Sequence, residues 1–241
     1  MIGIKDERGF NQIFESTPAA ILRKERRCDY MISKMDMSVL TPDTYILEIG
    51  CGTGEAIKYI SEKTGANSLG IDFSNKFIDL ANQRYKNKKL HFEVADFNDP
   101  LTFKGAMSYG KFDYVIGNGI LHHLYYTIDN SLLNLHKLLK SNGKIIFIEP
   151  NVYNPYVALI FNIPYFRKKA FLEPAEMAFS SRFIQAKLRQ AKFSAYRTEI
   201  KDFLLPNIPN NLINFTIKLG NILEHTPLTY FAQSVFITAV K

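Results

Sequence analysis

Between residues 45 and 150, short apolar runs alternate with segments of helical periodicity. Five runs predict buried strands, at residues 45–49, 68–71, 90–95, 112–117 and 144–148. Helical patterns occupy residues 56–63, 75–85 and 129–139 between them. Strands that alternate with helices of about 10 to 15 residues predict βαβ units and a mostly parallel sheet. The chain is therefore expected to contain a doubly wound α/β domain.

The segments outside this core follow less regular patterns. Thr17 and Pro18 are typical of a helix start, and no breaker follows before Met37, so we expect an N-terminal helix. Asn142 and Gly143 are typical of a helix end and should close the third helical pattern. The later elements are predicted at residues 181–192 and 212–223 (helical) and 195–200 and 234–240 (strands). We expect a helical cap over residues 1–44 and an α/β domain over 45–241, with lid insertions at about 151–174 and 203–230.

Composition and cysteine content exclude several classes of protein. Hydrophobic residues make up 46% of the 241 residues and charged residues 22%, which lies outside the range of disordered chains. Two cysteines, Cys28 and Cys51, cannot build a disulfide framework, and neither has a second Cys or His at metal-ligand spacing. The N-terminus lacks the apolar core of a signal peptide, and no apolar run is long enough to span a membrane. A cytoplasmic protein without a metal site is expected.

The net charge of +7 is concentrated in the C-terminal third. Residues 1–44 hold 7 Lys/Arg against 7 Asp/Glu, residues 45–150 hold 12 against 11, and residues 151–241 hold 11 against 5. Arg167-Lys168-Lys169 belongs to that last part. It would attract an anionic acceptor, a phosphate-bearing carrier or an anionic membrane surface, unless it is an ordinary solvated surface. The run Arg23-Lys24-Glu25-Arg26-Arg27 lies in a neutral segment and is interpreted as a solvated helix face.

A glycine loop follows the first predicted strand and precedes a helix, in the sequence Glu48-Ile49-Gly50-Cys51-Gly52-Thr53-Gly54. Glycines are required where the backbone has positive φ or approaches a ligand closely. A dinucleotide-binding fingerprint would place a glycine where this chain has Glu55. Because a carboxylate there would repel a pyrophosphate at the helix N-terminus, the loop favours a ligand without phosphates.

Carboxylates mark the ends of the first three predicted strands. They are Glu48, Asp72 and Asp96. The carboxyl ends of parallel strands meet at one edge of the sheet, and Asp72 has the spacing from the glycine loop of a residue that binds ribose hydroxyls. These three side chains are expected to surround one crevice, which would favour a cationic nucleoside.

This series of motifs resembles the class I S-adenosylmethionine-dependent methyltransferases of the small-molecule type. The matching pieces are E-I-G-C-G-T-G, G-I-D-F, A-D-F, F-D-Y-V-I-G-N-G-I-L-H-H-L and L-L-K-S-N-G-K-I-I-F-I-E-P, in the family's order over roughly residues 45 to 150. The resemblance implies a Rossmann-like, seven-stranded, mostly parallel sheet, with Ser234 to Val240 as an antiparallel strand, and S-adenosyl-L-methionine as the cofactor. The family often has Gly-Phe after its sixth helix, where this chain has Lys192-Phe193.

The resemblance also implies the cofactor residues. Gly50, Gly52 and Gly54 would line the methionine part, Asp72 would bind the ribose, Phe73 would pack on the adenine, Asp96 would meet its amino group with Phe97 beside it, and Asn118, Gly119 and Ile120 would pass the methionyl end. Glu48, Cys51 and Thr53 belong to the same predicted site, although Cys51 is interpreted as a small filler of the loop.

Methyl transfer from a sulfonium is a direct displacement, so the protein mainly aligns the reacting atoms. A base is needed only where the acceptor must lose a proton. His122 and His123 lie just past the fourth strand, at the ligand-binding edge, and are the candidate catalytic residues; at most one should face the pocket. The alternative is a loop histidine bonded to the backbone. Substrate contacts are predicted for Glu149, Asn151, Tyr153 and Phe14, although Glu149 would otherwise order its loop and the aromatic residues would otherwise belong to the core.

The expected function is methyl transfer to oxygen or nitrogen of a small or lipid-linked, carrier-borne acceptor. An RNA methyltransferase is the first alternative, but the chain lacks an added RNA-binding module and has Gly117-Asn118-Gly119-Ile120 where base-amino methylases have a proline-rich motif. Nucleic acid is therefore not the expected partner. A catalytically silent cofactor-binding subunit is the second alternative. Peripheral membrane contact stays open, and the sequence predicts no oligomeric state.

Overall fold

A computed structural model describes residues 17–38, 40–105 and 107–241. The described residues form one seven-stranded sheet in the order β3-β2-β1-β4-β5-β7-β6. The strands are β1 Tyr45–Ile49, β2 Asn67–Asp72, β3 Leu90–Val94, β4 Phe112–Asn118, β5 Leu139–Pro150, β6 Ser194–Lys201 and β7 Ser234–Val240. β1 to β5 pair in parallel, and β7 runs antiparallel to both β5 and β6. The predicted fold class is confirmed, including the antiparallel strand at Ser234–Val240.

Helices cover both faces of the sheet. They are α1 Pro18–Lys34, α2 Glu55–Thr64, α3 Asn75–Arg84, α4 Ile128–Leu138, α5 Pro155–Asn162, α6 Pro164–Lys169, α7 Ser181–Gln190 and α8 Ile213–Leu223. Successive strand residues point to opposite faces, so Ile46 packs with α1 to α3 while Leu47 packs with α4 and α7. A parallel sheet covered on both faces needs apolar residues on both sides, which explains the continuous apolar runs in the sequence. No helix in the described ranges has both the length and the apolar character that crossing a membrane requires.

The ends of α1 show how local sequence sets the helix boundaries. Thr17 is the N-cap, and its hydroxyl oxygen accepts a hydrogen bond from the backbone N–H of Ala20 at 3.1 Å. Pro18 occupies the first turn, where a missing N–H costs nothing. The helix ends at Lys34, three residues before the Met37 at which the sequence pattern ended.

The end predicted for the third helical pattern is wrong. α4 stops at Leu138, and β5 begins at Leu139, five residues before the predicted strand. Asn142 and Gly143 lie within β5, where pairing with β4 jumps from Phe112–Leu139 to Tyr114–Lys144. Asn142 has a φ of 64°, so the pair forms an irregularity in the strand and not a helix cap. Asn-Gly suits any backbone with positive φ, and the sequence pattern alone did not distinguish the two uses.

Candidate active site

A cavity of about 260 Å³ lies at the carboxyl ends of β1 to β4. α1, the β1–α2 loop, the ends of β2 to β4 and the segment after β5 all contribute to its wall. The lining residues are Lys24, Glu48, Gly50, Cys51, Gly52, Glu55, Ala56, Ile71, Asp72, Phe73, Phe77, Ala95, Phe97, Asn118, Gly119, Ile120, His123, Leu124 and Glu173. Ten of the thirteen predicted cofactor residues are among them. The cavity therefore lies where the sequence motifs placed the ligand.

The glycine loop brings the ends of β1 and β4 together. Gly50 has a φ of +64°, and a Cβ at this position would lie 2.6 Å from Cδ1 of Ile120. That distance is well inside van der Waals contact, so a side chain at position 50 would force the two loops apart. The glycine thus sets the width of the cavity between the β1–α2 loop and the residues after β4.

Two strand-end carboxylates line the cavity and also hold its loops. Oε2 of Glu48, which is buried, accepts a hydrogen bond from the backbone N–H of Ile57 at 3.0 Å. Asp72 accepts from Gly52 N–H through Oδ2 at 3.0 Å and from Ser74 N–H through Oδ1 at 2.9 Å. Backbone N–H donors stabilise the ionised form of a carboxylate. Both groups therefore supply fixed negative charge at the predicted position of a cationic nucleoside.

Three predicted cofactor residues lie elsewhere. Thr53 is buried, and its hydroxyl donates to the carboxylate of Glu55 at 2.7 Å. Gly54 has a φ of +86°, and a Cβ there would lie 2.5 Å from the Phe92 ring, so this glycine serves packing. Oδ1 of Asp96 accepts from Asn98 N–H at 2.8 Å in a local turn. None of the three is among the described residues that line the cavity, so the crevice contains two of the three expected carboxylates.

The residues after β4 turn into a 3₁₀ segment, Leu121–Thr127, whose first N–H groups need acceptors. The carboxylate of Glu149 supplies them: it accepts from the backbone N–H of Ile120 at 3.1 Å, Leu121 at 2.8 Å and His122 at 3.2 Å. It also contacts Nδ1 of His122 at 2.9 Å. Glu149 is 1% exposed. These hydrogen bonds give Glu149 the alternative role of ordering the loop, and its substrate contact stays a prediction.

Glu176 ties both histidines to the segment after β5, residues 151–180, which is called the post-β5 segment below. Its Oε2 lies 3.5 Å from Nε2 of His122, and its Oε1 lies 3.2 Å from Nδ1 of His123. The backbone N–H of Met177 donates to the carbonyl of His122 at 3.1 Å. His123 lines the cavity and His122 does not. At most one histidine was expected to face the pocket, but a carboxylate shared by the two rings was not expected.

The charges in this cluster are mutually stabilised. Burial alone would lower the pKa of His122, but the hydrogen bonds to Glu149 and Glu176 raise it to about 9. Burial alone would raise the pKa of Glu176, but the contacts with His122 and His123 hold it well below its usual range. At neutral pH, His122 is therefore an imidazolium between carboxylates.

The same three residues are close enough to share a metal ion. His122, His123 and Glu176 each offer a donor atom, and these atoms lie within 4.8 Å of one another. The protonated ring of His122 and the hydrogen bonds to Glu176 already use the donor atoms. The expectation of no metal site stays a prediction.

The other predicted substrate residues make contacts away from the cavity wall. Asn151 is fully buried, and its Nδ2 donates to the carbonyls of Tyr230 at 3.0 Å and Ala232 at 2.7 Å. The ring of Tyr153 stacks on that of Tyr230 with centroids 4.5 Å apart. Both residues hold the post-β5 segment against the turn before β7, and their substrate contacts stay predictions. Phe14 lies outside the described residues.

The charged run in α1 is not a uniformly solvated face. Arg27 is buried, and its guanidinium donates to Oδ1 of Asn118 at 2.8 Å, to Oδ2 of Asp202 at 2.8 and 3.0 Å, and to the hydroxyl of Ser234. Arg23 also contacts Asp202, at 3.0 Å. Because Asn118 lines the cavity, α1 is anchored directly to the end of β4. The earlier interpretation is wrong for Arg27.

Residues 47–145 match a family model described as a methyltransferase domain. The match covers the carboxyl ends of β1 to β4 and the loops that follow them, but neither α1 nor the post-β5 segment, and the sheet order agrees with the class I fold. Residues 47–145 form a class I S-adenosylmethionine-dependent methyltransferase domain. The resemblance inferred from the sequence motifs is confirmed.

Curated relatives of the methyltransferase domain match it over part of their length. The phosphoethanolamine N-methyltransferase of Plasmodium falciparum (isolate 3D7) is 32% identical over 112 residues, which are 46% of this chain and 40% of that protein. The probable polyketide synthase 42 of Dictyostelium discoideum is 31% identical over 136 residues, 49% of this chain and 5% of that protein. The chain thus spans less than half the length of these relatives.

Solved structures match the methyltransferase domain and its flanking segments. The geranyl diphosphate C-methyltransferase of Streptomyces coelicolor A3(2), in complex with Mg²⁺, geranyl diphosphate and S-adenosyl-L-homocysteine, superposes with a TM-score of 0.65 at 15% identity over 99% of this chain and 91% of that chain. The Haemonchus contortus phosphoethanolamine N-methyltransferase 2, in complex with S-adenosyl-L-methionine, gives 0.63 at 15% identity over 94% and 58%. At these identities the likeness shows the fold alone.

Sequence reasoning missed three residues around the methyltransferase cavity. Arg27 had a usable signal, because it lies seven residues after Ala20 and four before Met31, on the face of α1 that is buried. Glu173 and Glu176 lie in an irregular segment, and no local pattern relates them to histidines some 50 residues earlier. They are found only from the folded structure.

Proposed function

We propose that the methyltransferase domain transfers a methyl group from S-adenosyl-L-methionine to an oxygen or nitrogen atom of a small-molecule acceptor. The observation that carries this proposal is the composition of the cavity wall. Glu48 and Asp72 line it at the ends of β1 and β2, and His123 lines it just past β4. The printed names of the matching methyltransferases refer to small molecules, phosphoethanolamine and geranyl diphosphate, which favours an acceptor of that size.

The cofactor is assigned to the side of the cavity formed by β1, β2 and β3. Carboxylates held by backbone N–H groups complement a sulfonium and a ribose, and here they are Glu48 and Asp72. The ring of Phe73 is 48% exposed, although it lines the cavity, which suits a side chain that packs on adenine. The residues after β4 line the other side of the same cavity and are assigned to the acceptor.

The chemistry on the acceptor side is assigned to His123. His123 would accept the proton of an acceptor O–H or N–H. Bound S-adenosyl-L-methionine would supply the methyl group, and the electron pair of its carbon–sulfur bond would stay on the sulfur of S-adenosyl-L-homocysteine. Glu176 contacts Nδ1 of His123 at 3.2 Å and thereby orients the ring. General-base catalysis of this kind contributes typically about 10² to 10⁴ in rate, and alignment of the reacting atoms provides the rest.

Isothermal titration with S-adenosyl-L-methionine and S-adenosyl-L-homocysteine tests the cofactor assignment. The wild-type protein should bind both, and Asp72→Ala should weaken binding by about 10- to 100-fold, because a charged hydrogen-bond partner is lost. Asp79→Ala, an exposed carboxylate on α3, is the matched control and should bind like the wild type. Failure of the wild type to bind either compound would contradict the proposal.

A further inference from the structure

The wall of the cavity is negatively charged, although the chain as a whole is positively charged. The charged residues in its wall are Lys24, Glu48, Glu55, Asp72 and Glu173. Four carboxylates thus face one ammonium in a protein whose formal net charge is +7. Walls of one sign concentrate ligands of the opposite sign. The cavity as a whole favours positively charged ligands.

Three of the four carboxylates have partners in the surrounding structure. Glu48 and Asp72 accept backbone hydrogen bonds and lie on the side proposed for the cofactor. Glu55 contacts Lys24 at 4.0 Å and Arg84 at 3.1 Å. The charge of Lys24 is therefore offset by that of Glu55, and the wall keeps its net negative charge.

Glu173 is the fourth carboxylate, and its backbone is held in place from two directions. Its N–H donates to Oε1 of Glu176 at 3.0 Å, and its carbonyl accepts from Nη2 of Arg167 at 2.6 Å. The same oxygen of Glu176 lies 3.2 Å from Nδ1 of His123. One carboxylate oxygen thus fixes Glu173 relative to the proposed base. The side chain of Glu173 makes no hydrogen bond or ion pair with any residue in the described ranges.

The basic residues of the post-β5 segment do not offset this negative charge. The guanidinium of Arg167 donates to four backbone carbonyls, those of Phe161, Glu173, Pro174 and Glu176. Lys168 and Lys169 are exposed and are not among the described residues of the cavity wall. The positive charge of the post-β5 segment is therefore used on backbone carbonyls by Arg167 and lies on the outer surface at Lys168 and Lys169. This placement does not support the expected anionic acceptor.

We propose that the acceptor is a cationic amine, that the Glu173 carboxylate binds its ammonium group, and that the methyl group is transferred to nitrogen. The inference rests on the proposed methyl transfer. The ammonium group loses one proton to His123, the resulting lone pair forms the nitrogen–carbon bond, and the electron pair of the carbon–sulfur bond stays on sulfur. The products are a methylated ammonium ion and S-adenosyl-L-homocysteine, and His123 then releases its proton to water.

Binding of matched ligands to the protein saturated with S-adenosyl-L-homocysteine tests the inference. The panel consists of primary amines, each with the alcohol and the carboxylate of the same skeleton, such as 2-phenylethylamine, 2-phenylethanol and phenylacetate. At least one amine should bind about tenfold more tightly than its two partners, since about 1.4 kcal/mol is expected for one charged contact. Glu173→Gln should remove that preference, and Glu173→Asp should restore part of it. Glu62→Gln, an exposed carboxylate of α2, is the control.

The outcomes separate this inference from the function on which it rests. A panel in which no amine binds more tightly than its alcohol and carboxylate overturns the inference. So does a Glu173→Gln protein that loses affinity for S-adenosyl-L-homocysteine and not for amines, because Glu173 would then belong to the cofactor side. Failure of the wild type to bind S-adenosyl-L-homocysteine contradicts the methyltransferase function itself, before any acceptor is added.

Discussion

The two sides of the cavity are built in different ways. On the cofactor side, residues 45–118, consecutive elements form the wall, and β1 to β4 end within one residue of their predicted bounds. On the acceptor side, α1 and the post-β5 segment reach the cavity through a few long-range contacts, such as Arg27 with Asn118 and Glu176 with His123. The cofactor side depends on local chain geometry. The acceptor side depends on contacts between buried charged residues that are distant in the chain.

The largest expected effect is on the anchor of α1. Arg27→Met removes one of the two cations that contact the buried Asp202 carboxylate in the described part of the chain, and Arg23 is the one that stays. Breaking a buried ion pair by removing one member costs about 3–5 kcal/mol. Denaturant unfolding should show that loss of stability. Arg26→Met, an exposed neighbour that contacts Asn221, should stay within about 0.5 kcal/mol of the wild type.

Equal losses of stability in Arg27→Met and Arg26→Met would contradict the role of buried charge on the acceptor side. The double variant Arg27→Met/Asp202→Asn tests the same point, because it also removes the carboxylate charge that Arg27→Met leaves without this partner. It should recover a substantial part of the stability that Arg27→Met loses. An equal or larger loss in the double variant would mean that packing of α1, and not the buried charge, holds the acceptor side together.

His122 makes the stability of the acceptor side dependent on pH. Its pKa is raised in the folded protein from 6.5 to about 9 by Glu149 and Glu176, although burial opposes this. The stabilisation is therefore complete below pH 6.5 and is lost as the pH rises towards 9; it amounts to at most about 3 kcal/mol. In the wild type, the free energy of unfolding, measured from pH 6 to 9.5, should decrease as the pH rises from 6.5 to about 9. His122→Gln should flatten the curve.

Two controls keep this measurement specific to the cluster of His122, His123 and Glu176. His136→Gln should leave the pH dependence unchanged, since burial and nearby lysines lower the pKa of His136 and keep it out of this range. Glu176→Gln should move the fall to lower pH, because one of the groups that raise the pKa of His122 is gone. A wild-type stability that is flat from pH 6.5 to 9 would contradict an imidazolium at position 122.

The sequence predicted what depends on neighbours in the chain. Gly50 and Asp72 lie at strand ends whose positions follow from hydrophobic patterns, so the cavity and most of its cofactor wall were predictable. Asp96 is not among the described residues of the cavity wall, and its carboxylate takes part in a local turn that the strand-end pattern does not show. Glu149 ends a strand as expected, but which backbone N–H groups it would accept from depends on the turn after β4.

The acceptor side was less predictable for a physical reason. Arg27 and Arg167 belong to charged runs that are usually solvated, and only the fold decides whether a buried carboxylate or a set of carbonyls lies within reach. Likewise, Glu176 contacts His122 and His123, which lie some 50 residues earlier in the chain. Such pairings are set by tertiary structure and leave no periodic trace in the sequence.

Gly54→Ala tests the cofactor side, where backbone geometry should matter most. The residue has a φ of +86°, and an added Cβ would lie 2.5 Å from Cε1 of Phe92. Left-handed strain and overpacking together should cost about 2 kcal/mol. Gly65→Ala is the matched control: its φ is +68°, but an added Cβ meets nothing within 4 Å, so it should cost only the strain, about 1 kcal/mol. Thermal unfolding distinguishes the two, and equal losses would mean that Phe92 moves aside freely.

The smallest effect is expected at Lys192. This residue follows the C-terminal end of α7 and is not among the described residues of the cavity wall. The residue has a φ of 66° and lies in a Schellman motif, in which the N–H of Phe193 donates to Leu188 O at 3.1 Å and that of Lys192 to Arg189 O at 3.1 Å. Glycine is favoured at this position, so Lys192→Gly should stabilise the protein by about 0.5–1 kcal/mol, the relief of strain less the added chain entropy. Lys192→Ala removes the same charge without freeing φ and should gain nothing. If both variants gain equally in thermal unfolding, the charge of this basic C-terminal segment is the destabilising factor and the left-handed backbone is not.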